Sequence, residues 1–214
     1  MEHAALSSVI SIQNSVAKAI SHGLNPLILG PIMFMYLFQY QPDDLVSFSL
    51  FTCIVMIFFG LLPLCILLTF KYLKKIETID VVNRTNRHKP FIFGITSYGI
   101  GAFIIGEWFS WNGILIAAIF TLLSSSAIAA IITLKWKVSV HNAAASISAT
   151  FLIISCLYLS DGSSFPFTLL LALFLGFSMI WSRVTLKAHT LSQSISGSLL
   201  GVIISLFYSW LIPF

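Results

Sequence analysis

The sequence predicts an all-α, polytopic transmembrane helix bundle of about six to seven spans. Two observations carry that prediction. Of the 214 residues, 58% are hydrophobic and only 8% are Asp, Glu, Lys or Arg, whereas soluble domains carry about 25% charged residues. A soluble fold of this length could not cover its surface with so few charges, but lipid tails solvate an apolar exterior. The apolar residues also fall into runs of span length, separated by short polar segments.

In chain order the candidate spans are 24–41, 46–70, 91–110, 113–134, 143–160, 164–181 and 195–213. Pro26 and Pro31 interrupt the first. The second is long and contains Pro63, which predicts a tilt or kink. Ahead of them, residues 1–23 form a separate amino-terminal segment. Ala5, Val9, Ile12, Val16 and Ile20 recur at helical steps, which suits an amphipathic surface helix. A flexible terminus is the other reading. This segment lacks a basic start followed by an apolar core, so no cleavable signal is expected. Residues 24–214 read as one transmembrane domain without internal repeats. Cys53, Cys65 and Cys156 all lie in apolar runs without metal-ligand spacing and read as small packing residues.

The connections are unequal. Asp43-Asp44, Asn112-Gly113 and Asp161-Gly162-Ser163-Ser164 mark short turns. The long polar segment is Lys71–Pro90, followed by basic patches at Lys135-Trp136-Lys137 and Arg183 to Lys187. Two spans separate each of these from the next. An even number of crossings returns the chain to the same face, so all three polar segments converge there.

Three clusters on that face can carry chemistry: Asn83 to Pro90, Lys137 to His141, and Ser182-Arg183 followed by His189 and Gln193. Ionisable groups beside a span are costly and tend to be functional. Guanidinium forks match phosphate oxygens, and histidine serves as nucleophile or general acid. The combination predicts phosphoryl transfer. That face carries no acidic cluster suited to Mg²⁺ or Zn²⁺, so neither a metal nor another cofactor is expected.

These residues resemble the type 2 phosphatidic acid phosphatase (PAP2) superfamily of membrane lipid phosphatases. Its three motifs are Lys-x6-Arg-Pro, Pro-Ser-Gly-His and Ser-Arg-x5-His-x3-Asp. Ser182-Arg183-x5-His189-x3-Gln193 keeps the third spacing and departs only at its last residue. Ser139-Val140-His141 keeps Ser and His of the second without Pro and Gly. The first is loosest: Arg87 and Pro90 are present but not adjacent, and Asp80 stands where Lys would precede Arg87. Arg84 is a substitute cation, or Lys89-Pro90 aligns with Arg-Pro instead. The resemblance implies that His189 attacks phosphorus to form a phosphohistidine. His141 protonates the leaving oxygen and then activates water. Arg84, Arg87 and Arg183 hold phosphate oxygens, and Ser139 donates a hydrogen bond. Gln193, one turn after His189, can accept its Nδ1 proton, yet lacks the charge that would stabilise an imidazolium.

The implied activity is metal-independent hydrolysis of a lipid phosphate or diphosphate, of polyprenyl diphosphate, phosphatidate or phosphatidylglycerophosphate type. The partners are the lipid substrate and the bilayer, with no nucleic acid. The setting is a bacterial or archaeal cell membrane. The alternatives are a non-catalytic relative or a lipid or small-solute transporter, which should carry polar groups near the midplane. On the seven-span count all eleven Lys and Arg lie on the site's face, opposite Asp43, Asp44, Glu107 and Asp161. Positive charge in short loops marks the cytoplasmic side, whereas PAP2 relatives usually open to the other. The charge bias therefore places the site on the cytoplasmic face and the carboxyl terminus outside.

Overall fold

A computed structural model describes residues 2–40, 45–79, 81, 83–109, 113–160 and 162–213; of residues 2–8, 45 and 84 it describes the backbone alone. Asp43, Asp44, Asp80, Asn112 and Asp161 lie outside the described residues. The helices are α1 (Glu2–Gly23), α2 (Pro26–Phe38), α3 (Leu45–Val55), α4 (Leu62–Tyr72), α5 (His88–Trp108), α6 (Gly113–Thr133), α7 (Val140–Tyr158), α8 (Phe165–Thr185) and α9 (Leu191–Leu211). No strand occurs among the described residues. The chain is an all-α bundle in which six helices are long and apolar enough to cross a membrane.

The first run differs from its expected bounds. Helix α2 has 13 residues, about 20 Å at 1.5 Å per residue, too short for a hydrocarbon core of about 30 Å. Together with Val9–Gly23, across a bend of 49°, it is long and apolar enough for a broken span or a re-entrant loop. The break has a local cause. Asn25 caps α2, its side chain accepting the Leu27 amide at 3.0 Å, and Pro26 stands in the first turn, where a missing N–H costs nothing. Helix α1 belongs to the bundle: Ser182 donates to the Ala17 carbonyl, and Arg183 to the Ser21 hydroxyl, both at 2.7 Å.

Helices α3 and α4 are joined by a π-helical turn, Met56–Leu61, just ahead of Pro63. The Leu62 amide bonds the Ile57 carbonyl five residues back. Pro63 has no N–H to offer the next carbonyl in that register, Phe58. Ser97 on α5 supplies the donor instead, at 2.6 Å. The sequence's kink is thus a widened turn, satisfied from a neighbouring helix. Gly101 lets α5 approach that turn, because a Cβ there would strike Phe58 and Phe59.

Helix α7 is the most enclosed span, with Ala143, Ala145, Ser146 and Ser148 buried. Helix α9 lies closest against it. A Cβ at Gly197 would collide with the Ser139 carbonyl, and one at Gly201 with the Ala143 carbonyl. Small residues let helix backbones touch where lipid gives no hydrophobic drive. Two serines of α6 are bonded: Ser124 meets the Tyr208 hydroxyl at 2.8 Å, and Ser125 donates to the Leu122 carbonyl of its own helix. Glu107 is exposed beside exposed Trp108 at the end of α5.

Candidate phosphate site

The α7–α9 contact sets the site, because it brings the amino-terminal ends of both helices together. The Ser139 amide donates to the Gln193 carbonyl at 3.3 Å. Ser139 caps α7: its hydroxyl accepts the Asn142 amide at 3.4 Å and donates to the Asn142 side chain at 2.7 Å. It is fully buried, so its place is in the helix cap, not at the surface of the cavity described below.

The spacing between Arg183 and His189 is a helix-ending motif. Lys187 adopts a left-handed conformation, φ 51°. The Ala188 amide returns to the Arg183 carbonyl at 3.1 Å and the Lys187 amide to Val184 at 3.0 Å. This is the Schellman pattern that satisfies terminal carbonyls. The His189 amide also reaches Arg183, at 3.3 Å. Five intervening residues therefore fold the chain back and place His189 beside the end of α8. Thr190 then caps α9 in a capping box with Gln193. Gln193 Oε1 accepts the Thr190 amide at 3.2 Å and stands 3.3 Å from His189 Nδ1. The amide N–H requires an oxygen at that position, so the bonding assigns His189 Nδ1 as donor and leaves Nε2 with the lone pair.

Arg87 ties the first polar segment to the second. Its Nε donates to the Val81 carbonyl at 2.8 Å and its Nη1 to the Val138 carbonyl at 3.1 Å. Val81 holds φ 44°, a strained conformation for a β-branched residue. Lys137 ties the second segment to the third, donating to the Ala188 carbonyl at 2.7 Å. Arg87, His141, Arg183 and His189 are all buried. Of Arg84 only the backbone is described, in a short turn Arg84–Asn86.

The His189 ring records the convergence. Burial, then the positive charges of Arg87, Lys137 and Arg183, lower its pKa from 6.5 to about 3, opposed by the Gln193 bond. Three cations thus act on one neutral imidazole. The folded chain refuses a proton that the unfolded chain accepts near 6.5. Stability is therefore complete above that pH and declines as pH falls towards 3. We expect the melting temperature to fall between about pH 7.5 and pH 5, and inorganic phosphate, lodged among the cations, to restore part of it. Thermal unfolding with and without phosphate checks both.

A cavity of about 180 Å³ opens beside this cluster. Arg87, His141 and Asn25 line its polar end. It descends about two turns of α7 to Ser148, between Phe34, Phe59, Tyr98 and Leu122. Arg183 and His189 are not among its lining residues. The structure thus gathers Arg87, Lys137, Arg183 and His189 into one electrostatic cluster, and joins His141 to it through the wall Arg87 shares. Sequence reasoning assigned no role to Asn25 or Lys137. The Asn25-Pro26 pair is a cap signature, and Lys137 stands two residues before Ser139. Among the described residues no group of His, Cys, Asp or Glu is arranged to hold a metal.

No family model matches the chain, and the comparisons with curated proteins and with solved structures found no match.

Proposed function

We propose that the chain is a membrane-embedded phosphatase of the PAP2 type, acting on a lipid phosphate or diphosphate. The observation that carries the reading is the meeting of Arg87, Lys137 and Arg183 around the neutral, Gln193-oriented ring of His189. Guanidinium and ammonium groups that converge on one imidazole are suited to hold the oxygens of a phosphate presented to it. A nucleophile with its lone pair ready at neutral pH is what attack on phosphorus requires.

In the first step His189 Nε2 attacks phosphorus, the bond to the leaving oxygen breaks, and His141 relays to that oxygen the proton that the substrate's phosphate carries as its monoanion. In the second, His141 takes a proton from water and passes it to the departing phosphate, so the ring ends the cycle neutral. The water oxygen attacks phosphorus, the phosphorus–nitrogen bond breaks with its electron pair returning to His189, and inorganic phosphate departs. Arg87, Lys137 and Arg183 stabilise the charge on the non-bridging oxygens in both steps. Purified protein should release inorganic phosphate from a prenyl diphosphate or phosphatidate in detergent. Absence of release from every lipid phosphate offered contradicts the reading.

The apolar depth of the cavity suits the first part of a hydrocarbon chain. Gly30 and Gly94 line it, and a Cβ at either meets nothing within 4 Å. Gly94→Leu therefore starts into open space at its Cβ, and a helical Gly replaced by Leu gains up to about 1 kcal/mol in propensity. We expect KM for a long-chain lipid phosphate to rise at least about tenfold, with a short-chain alkyl phosphate turned over as before. Equal KM changes for the two substrates would separate the cavity from the chain.

The site faces the cytoplasm in this proposal. Without Arg84, Arg87 and Arg183, eight lysines remain on that face in the seven-span count and none opposite. A carboxyl-terminal alkaline phosphatase fusion should be active and a green fluorescent protein fusion dark. The reverse pattern would place the site outside.

A further inference from the structure

Asn25 occupies the break between α1 and α2 and touches His141 on α7. Its Oδ1 accepts the Leu27 amide at 3.0 Å as the cap of α2. That bond fixes the orientation of the amide, because an N–H needs an oxygen acceptor. Nδ2 must then be the atom 3.4 Å from His141 Nε2. An amide nitrogen only donates. The ring nitrogen that meets it must therefore hold its lone pair and not a proton.

We propose that Asn25 is a positioning residue that holds neutral His141 as the Nδ1–H tautomer, its Nε2 lone pair accepting from the Asn25 amide at the polar end of the cavity. The catalytic consequence rests on the phosphatase reading; the tautomer does not. In the resting site His141 waits as a base, the form that takes a proton from water. Once Nε2 carries a proton, the ring can no longer accept from Asn25 and faces a donor. The proton is then best placed on an oxygen in the cavity, which is the leaving oxygen of the first step. One amide thus disfavours storage of the proton on His141 and favours its transfer. Asn25 can do this because the chain breaks at Asn25-Pro26: in a continuous helix the cap bond that orients the amide would not exist.

Two substitutions separate capping from tautomer control. Asn25→Ser keeps a good cap but engages its one hydroxyl there and is too short to reach His141. Asn25→Asp keeps the cap and turns a carboxylate oxygen towards Nε2, which calls for a proton on that nitrogen. Full-length protein labelled with ¹⁵N-histidine, with His141 assigned by its disappearance in His141→Gln, reports the tautomer directly. We expect a protonated Nδ1 and a bare Nε2 in the wild type, a mixture in Asn25→Ser, and a protonated Nε2 in Asn25→Asp. Melting temperatures of the three should agree closely. Asn25→Ser should lower kcat about tenfold at unchanged KM, a fraction of the 10²–10⁴ that acid–base catalysis supplies. A protonated Nε2 in the wild type, or an Asn25→Asp spectrum identical to it, overturns the proposal. A wild type that releases no phosphate overturns the phosphatase reading alone, because the tautomer spectra are read without turnover.

Discussion

His189→Ala should abolish release of inorganic phosphate from any lipid phosphate the wild type hydrolyses. The loss is complete because in the proposed mechanism His189 forms the covalent bond to phosphorus, and no neighbouring side chain can replace a missing nucleophile. The fold should survive. His189 closes the turn after α8 through its backbone amide, which alanine retains. The substitution also removes the imidazole whose protonation burial and the three cations oppose. The decline of stability below about pH 6.5 should accordingly shrink in the variant. Kinetics and pH-dependent melting on the same preparation test both effects. Retained turnover would exclude the nucleophile. Length-matched charge at the orienting position should act oppositely: Gln193→Glu keeps the capping box and adds the carboxylate that a Gln lacks, so turnover should hold or rise, as expected also for the shorter Gln193→Asp.

Arg87→Lys should reduce kcat/KM by about 10²–10³, the range seen when one preorganised donor to a developing oxyanion is lost. Lysine keeps the charge and loses the fork. In this protein the fork holds two buried carbonyls, Val81 and Val138, at 2.8 and 3.1 Å. A single ammonium cannot hold both and face the cavity. The cavity wall shared by Arg87 and His141 should loosen, so binding of inorganic phosphate, followed by ³¹P line broadening, should weaken with turnover. Unchanged phosphate binding would confine Arg87 to a structural tie.

Much of this arrangement was legible in the chain. Apolar runs of span length located the long helices, and the even count of crossings put the three polar segments on one face. The Arg87, Lys137 and Ser139 bonds show those segments in contact. What was not legible depends on backbone detail. Pro63 signalled a kink, but whether a kink becomes a bend or a widened turn depends on a donor elsewhere, here Ser97. The family resemblance implied a hydrogen bond from Ser139 to phosphate. Its position one residue before α7 engages the hydroxyl in the helix cap. Gln193 read as a partner of His189, and its simultaneous bond to the Thr190 amide follows only once the start of α9 is known. Asn25 lay far from every motif, and only the packing of α2 on α7 brings it to His141.

The measurement that tests the central claim most directly is the covalent state of His189 during turnover. Protein quenched within the first seconds of reaction with a ³²P-labelled prenyl diphosphate should carry acid-labile, base-stable label, and mass spectrometry should place one phosphoryl group on His189. The label should be absent from His189→Ala and should accumulate in His141→Gln, where the second step lacks its base. Turnover by the wild type with no label on His189 under any quench, or label on another residue, would contradict the account.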